Sequence, residues 1–235
     1  MTLGANTPSY DLETEIDETF DISHLDEEKI RANTQKFTGE LDQYPPAHSA
    51  VKVDGERLYM KARRGETVEL KTRKVSISQF EITRVELPEV DFRVVCSKGT
   101  YIRTLIDDLG ETLGSGAYVT ALRRIHVGPF QASQMLTDEF LAPLNQAQDW
   151  AGLDALLLPM DYALAGLPRL TLDPSAVKRL RHGQTVLLTP ELLELLPVGP
   201  SDAIALYDDS QAFIGVGMQD GAELKVRRLL NTANS

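Results

Sequence analysis

Cys96-Ser97-Lys98-Gly99-Thr100-Tyr101-Ile102-Arg103-Thr104-Leu105, running on through Ile106-Asp107-Asp108-Leu109-Gly110, is the most ordered passage of the 235-residue sequence. Just before it, Phe92, Val94 and Cys96 alternate with Arg93 and Val95, the period-two pattern of a strand over 91–97. After a break at Ser97-Lys98-Gly99-Thr100, Ile102, Leu105, Ile106, Leu109 and Leu113 recur at helical spacing, and Gly114 is a natural C-cap. The passage therefore reads strand, turn, helix, with Tyr101 and Arg103 at the junction. On spacing alone, Tyr101 reads as an amphipathic residue at the edge of the core and Arg103 as a surface helix residue. Cys96 reads as a buried strand thiol rather than a nucleophile. Being the one cysteine, it excludes an intrachain disulfide and a Cys-based zinc cluster.

Upstream, 74–87 and 67–71 are β-rich. Asp26 predicts an N-cap for a helix to about Glu40, with Ile30, Phe37 and Leu41 roughly on one face. Gln43-Tyr44-Pro45-Pro46 stops that helix, because proline donates no backbone hydrogen bond and restricts the residue before it. Downstream, a Leu-rich helical stretch over 135–158 leads to a boundary at Leu158-Pro159-Met160-Asp161. From Leu167 the character changes. Asp173-Pro174 predicts a capped short helix with Val177 and Leu180 inward and Gly183 closing it. Short strands near 185–188, 203–207, 212–218 and 224–230 follow, with a turn at Asp208-Asp209-Ser210. Lys178, Arg179, Arg181, Lys225, Arg227 and Arg228 give this part a basic rim. The reading is an α+β core with a mostly antiparallel sheet over 1–163 and a small β-barrel module over 164–235.

Composition is that of a soluble globular protein, with 42% hydrophobic and 25% charged residues and no apolar run near the roughly 20 residues a bilayer needs. Met1-Thr2-Leu3-Gly4 opens neither a basic nor an apolar leader, so a cytoplasmic location is expected. The net charge of −11 argues against a nucleic-acid partner only if it is spread evenly, and it is not. Residues 1–28 hold nine acids and no Lys or Arg, whereas 52–74 hold eight bases against four acids. That basic run suits phosphates locally, since screening confines a distant charge to about 8–10 Å. A solvated charged face explains it equally well. His24, His48, His126 and His182 are scattered singly, without metal-ligand spacing. No P-loop or dinucleotide Gly fingerprint is present, and Ser49 and Ser97 have no recognisable hydrolase context.

Three passages resemble one family in order along nearly the whole chain. Gln43-Tyr44-Pro45-Pro46-Ala47-His48-Ser49-Ala50-Val51-Lys52, continuing through Gly55, Tyr59 and Ala62-Arg63-Arg64-Gly65, is similar to its Q-x-P-P-x-x-S-A-x-K loop and the G-x-x-x-Y-x-x-A-R-x-G that follows. Gly99-Thr100-Tyr101-Ile102-Arg103-Thr104-Leu105 with Asp108-Leu109-Gly110 is similar to its G-T-Y-I-R-T/S-L-x-x-D-L-G signature. Leu122-Arg123-Arg124 with Gly128 and Phe130 is similar to its L-R-R-T/x-x-x-G-x-F run, and Leu157-Leu158-Pro159-Met160-Asp161 resembles the link into its PUA-like module. The family is that of bacterial TruB-type tRNA pseudouridine synthases.

The resemblance implies a pseudouridine synthase-type sheet core with a C-terminal PUA-like barrel, and isomerisation of uridine 55 in the T arm of tRNA. It implies a monomer that binds the T stem-loop, with no membrane, metal or organic cofactor. Such chemistry requires the base to leave its stack. By match, Tyr101 is the aromatic platform and a candidate for proton transfer, and Arg103 pairs with the catalytic aspartate and keeps it ionised. Leu122 closes the apolar wall of the pocket. Lys98 and Lys52 are expected at phosphates, and Asp11 stands near the position of an RNA-contacting acid, although Thr7-Pro8-Ser9-Tyr10 departs from the family pattern. Tyr118 stands where a histidine is common.

The family's G-x-L-D-P-x-A-T-G segment, whose Asp is the nucleophile, occurs nowhere in this sequence. The expectation is of a chain recorded without its N-terminal segment, with an incomplete sheet that exposes apolar surface or unpaired edges, and inactive alone. Asp107 lies four residues after Arg103, so an i,i+4 ion pair between them is expected, and no acid presents itself as a replacement nucleophile. Two other readings stand beside this one: a non-catalytic tRNA-binding or tRNA-folding protein, and a basic-rimmed scaffold that binds protein.

Overall fold

The computed structural model describes residues 1–46, 52–53, 56–57, 60, 64, 71–197 and 201–230. Contacts divide the chain into two compact units, Met1–Arg123 and Arg124–Ser235.

The first unit is built on a five-stranded antiparallel sheet. Its strands are β1 (Thr2–Leu3), β4 (Gly39–Gln43), β7 (Arg73–Glu86), β8 (Glu89–Cys96) and β9 (Ala117–Tyr118), in the order β4-β7-β8-β1-β9. Two-residue strands β2 (Ala5–Asn6) with β3 (Glu18–Thr19), and β5 (Lys52–Val53) with β6 (Glu56–Arg57), form separate small ladders. In β7 the buried positions run Val75, Ile77, then Phe80, Ile82. The period of two slips by one residue between Ile77 and Phe80 because the ladder to β8 has an irregularity between Ile77 and Gln79.

Among the described residues, two helices cover this sheet. Helix α1 (Glu27–Thr34) is capped as expected, with Asp26 Oδ1 accepting from the Lys29 amide at 2.7 Å. It stops well short of Glu40, however. A single 3-10 turn, Gln35–Phe37, follows, and then β4 begins at Gly39. Gly39 has φ +105°, which side-chain-bearing residues avoid, and residues 39–43 pair with 73–77 of β7. The sheet ladder thus overrides a helical spacing that had only Phe37 and Leu41 to support it.

Helix α2 (Ile102–Leu113) is the expected one, with the highest amphipathicity in the unit and Gly114 in the left-handed region at its end. Leu105, Ile106 and Leu109 are fully buried, in one cluster with Ile77, Ile82, Val90, Leu3 and Ala117. Each such side chain contributes about 1.5–3 kcal/mol on burial. Strand β8 leaves this core as it advances: Val90 is buried, Phe92 and Val94 are half-buried, and Cys96 is exposed. The expectation of a buried Cys96 is therefore corrected. The thiol keeps the alternating register of Phe92 and Val94 but stands at the last residue of the strand.

The second unit opens with the hairpin β10 (His126–Val127) and β11 (Phe130–Gln131) and two short helices, α3 (Asp138–Gln146) and α4 (Trp150–Asp154). No residue from 120 to 169 is buried. Its core lies beyond, in a five-stranded sheet of order β12-β14-β15-β16-β13, formed by Arg169–Thr171 (β12), Val186–Leu187 (β13), Ser201–Tyr207 (β14), Phe213–Asp220 (β15) and Glu223–Leu229 (β16). The β12–β14 pair is parallel and the others antiparallel. Helix α5 (Pro174–Arg181) packs Val177 and Leu180 against Leu170, Ile204, Leu206 and Leu224. Asp173 caps it by accepting from Ser175 and Ala176 amides at 2.8 and 3.0 Å. The remaining helix, α6, is Pro190–Glu194. The contact boundary falls after residue 123, ahead of the composition change near 163. Residues between the two carry no buried side chain that would tie them to the first core.

Candidate functional site

Three stretches distant in sequence meet at the first turn of α2. Tyr101 is the N-cap residue, half-buried, with φ −95° and ψ +105°, and its side chain caps nothing. Its amide therefore needs a partner from elsewhere. Gln43, at the end of β4 and 2% exposed, supplies one. Gln43 Oε1 accepts from Tyr101 N at 3.0 Å, and Gln43 Nε2 donates to Tyr101 O at 3.3 Å. One turn on, Thr104 Oγ1 donates to Tyr44 O at 3.3 Å. The Gln-Tyr-Pro-Pro passage is thereby tied to the Tyr-Ile-Arg-Thr passage at two points.

Arg103 points to a third stretch. Its Nη1 donates to Asp11 Oδ2 at 2.7 Å and to Ser9 O at 3.3 Å. Both side chains of the ion pair are about one-quarter exposed, so water screens it only partly. Asp11 is itself held: Ser9 Oγ donates to Oδ1 at 2.7 Å and the Glu13 amide donates to the same oxygen at 2.9 Å. Burial pushes the Asp11 carboxyl up, and the bonds from Ser9 and Glu13 with the Arg103 charge outweigh it, leaving the group below the usual carboxylate range. The backbone around it is strapped down as well, with Thr7 Oγ1 donating to Asp11 O and the Val119 amide to Tyr10 O.

The expected Arg103–Asp107 pair is not formed. Arg103 turns toward Asp11, while Asp107 lies among like charges. Burial raises the Asp107 carboxyl to about 7, helped by Glu111, Asp108 and Asp17, and burial with Glu111 raises Asp108 to about 6. These acids also push the half-buried Tyr10 phenol up, after burial itself.

Tyr101, Arg103 and Asp11 are therefore brought together. Lys98 is exposed in the turn ahead of Gly99, and no hydrogen bond or ion pair joins it to this group among the described residues. Leu122 is 59% exposed and belongs to no core cluster. The side chain of Lys52, and the loop residues 47–51 with His48 and Ser49, lie outside the described residues. Asp11 as the anchor of Arg103, and Gln43 as the partner of the Tyr101 peptide groups, are contacts that sequence spacing did not announce. The residues are 92 and 58 positions apart. Among the described residues no cluster of His, Cys, Asp and Glu could hold a metal, and no helix is long and apolar enough to cross a membrane.

Comparison with known proteins identifies the family. The family model described as TruB family pseudouridylate synthase (N terminal domain) matches residues 1–102. The tRNA pseudouridylate synthase B C-terminal domain matches 103–165, and Pseudouridine synthase II TruB, C-terminal, matches 168–230. A tRNA pseudouridine synthase B of Flavobacterium johnsoniae is 54% identical over 134 residues, covering 57% of this chain and 58% of that protein. One of Burkholderia mallei is 39% identical over 232 residues, 99% of this chain and 75% of that protein. Among solved structures, a Cbf5-Nop10-Gar1 complex aligns with TM-score 0.64 at 25% identity, over 87% of this chain and 62% of that one. An H/ACA RNP bound to a substrate RNA containing 2'-deoxyuridine shares the fold with TM-score 0.63 at 22% identity, over 87% and 61%. The antiparallel α+β core and the separate C-terminal sheet are thus those of pseudouridine synthases, and the chain belongs to the TruB family.

Proposed function

We propose that this chain forms the base-receiving part of a tRNA pseudouridine synthase, acting on uridine 55 in the T arm. The observation that carries the reading is the pairing of Tyr101 and Arg103 on the first turn of α2, the one clamped by Gln43 and the other by Asp11. In the isomerisation the N1–C1′ bond breaks, a C5–C1′ bond forms, C5 gives up its proton and N1 gains one. The extruded uracil needs a stacking face, which the half-buried Tyr101 ring offers, and its phenol is placed to exchange a proton with the base. Arg103, already fixed through Nη1, orients the nucleophilic carboxylate, and the exposed Leu122 becomes the apolar wall once a base fills the pocket. Lys98 and Lys52 serve phosphates. The partner is the T stem-loop of tRNA, bound by a cytoplasmic monomer, a reading supported by relatives named for tRNA and a neighbour solved with substrate RNA.

None of the 235 residues matches the nucleophile segment expected of the family, so the polypeptide assayed alone should bind and extrude the base without isomerising it. The second reading is a tRNA-binding or tRNA-folding protein without catalysis. Tritium release from [5-³H]uridine-labelled tRNA separates the two. The chain alone should release none, and the chain fused behind a segment carrying the family's G-x-L-D-P-x-A-T-G motif should release it. Release by the chain alone overturns its inactivity. Silence of the fusion, with tRNA still bound, favours the second reading, and failure to bind T-arm RNA at low salt ends both.

A further inference from the structure

We propose that Gln43 is the positioning residue for Tyr101, setting where the aromatic face stands before RNA arrives. This deepens the reading above and rests on it. The Gln43 carboxamide presents an acceptor and a donor side by side, and it uses both on one residue. Oε1 takes the Tyr101 amide at 3.0 Å and Nε2 gives to the Tyr101 carbonyl at 3.3 Å. A side chain thus does what a neighbouring strand does, pairing both peptide groups of a single residue.

The placement suits that task. Tyr101 lies just outside α2, where its N–H has no helical acceptor and φ and ψ are free of the helical ladder. Its carbonyl accepts from Leu105 N at 3.1 Å, which fixes the helix side, so Gln43 fixes the side toward the turn. Gln43 is 2% exposed and sits on a backbone locked into β7 through the Gln43↔Arg73 register. A buried carboxamide with both ends satisfied has one low-energy orientation. Ring direction follows from the Cα–Cβ vector, so the clamp determines where the ring can stack. Glutamate keeps the acceptor but loses the donor and buries a charge, and alanine loses both contacts.

Two measurements on the full chain test this. In the first, 2-aminopurine beside the target uridine of a T-arm stem-loop reports extrusion, while anisotropy of the same RNA reports affinity. Gln43→Ala should cut the extruded fraction about tenfold or more, with Kd within about twofold of the parent, because a small misplacement of a reacting group costs orders of magnitude. Gln43→Glu should fall between parent and alanine. Unchanged extrusion in Gln43→Ala, with Tyr101→Ala abolishing it, overturns the positioning role and leaves the site reading intact. No extrusion signal from the parent overturns the site reading itself and the positioning role with it. The second measurement needs neither RNA nor turnover: 3-fluorotyrosine incorporated at position 101 and observed by ¹⁹F NMR. Its line should shift or broaden in Gln43→Ala and in Gln43→Glu while far-UV circular dichroism stays constant, and an unmoved line overturns the proposal.

Discussion

Arg103 shows how the acid nearest in sequence can fail to be the one nearest in space. Its place on the α2 face was legible from the Tyr-Ile-Arg-Thr spacing, but the nearest acid in sequence, Asp107, is not the one it meets. Asp11 is, from 92 residues away, because the Ser9–Glu13 turn is strapped to the end of β9 and faces the helix start. In the aspartate-bearing fusion, Arg103→Ala should lower single-turnover rate by about a hundredfold or more while tRNA affinity changes little, since the role proposed for it is to orient the nucleophilic carboxylate rather than to hold phosphate. Loss of affinity at unchanged rate would instead make Arg103 a phosphate contact. Asp107 gives a prediction in pH. Its folded carboxyl titrates near 7 against an ordinary 3.8, so the folded state holds the proton more tightly. That contribution is complete below about pH 4 and is lost as pH rises through about 7. Asp107→Asn should match the parent in urea midpoint near pH 3.5 and exceed it by a growing margin as pH rises to about 7. Parallel pH profiles for parent and variant would show that burial among Asp108, Glu111 and Asp17 does not perturb this group.

Helix α2 and strand β9 approach more closely than side chains permit. A Cβ on Gly110 would stand 2.4 Å from the Ala117 amide nitrogen and 2.5 Å from the Gly116 carbonyl carbon, neither of which can rotate away. Gly110→Ala should therefore destabilise the first unit by about 1–3 kcal/mol in urea, even though alanine is the better helix former by roughly 1 kcal/mol. A stabilised variant would mean that β9 is free to retreat. The same region marks the limit of what sequence pattern conveys. Strands β7 and β8 and helix α2 are long and largely periodic, and they were legible nearly to their ends. Strands β1 and β9 have two residues each and pair across more than a hundred positions, Thr2 with Tyr118 and Leu3 with Ala117, so no local period announces them. Glu40-Leu41-Asp42-Gln43 failed for the opposite reason. Its apolar spacing extended a real helix, and only the ladder with β7 reveals a strand.

Over the whole molecule, net acidity is compatible with the proposed RNA binding because charge is unevenly placed. Nine of the 35 acids fall in the first 28 residues, and the remaining residues are nearly balanced, with 26 acids against 24 bases. T-arm RNA affinity should fall by about tenfold or more between 50 and 200 mM salt if as few as three phosphates are neutralised. Affinity indifferent to salt would point instead to a protein partner. The C-terminal sheet, its helix cap and its Asp208–Ser210 turn were legible because Asp-Pro, Gly and alternating apolar residues punctuate it at short intervals. The contact boundary after Arg123 has no counterpart in the sequence pattern, since exposed segments carry none that assigns them to either core. The exposed thiol at the end of β8 has a practical side. A maleimide dye can react at a single atom in the whole polypeptide, five residues and at most about 18 Å of backbone from the Tyr101 ring. Without any engineered mutation, the wild-type chain thus carries its own attachment point for a fluorophore, which could time the arrival of an RNA at the helix start.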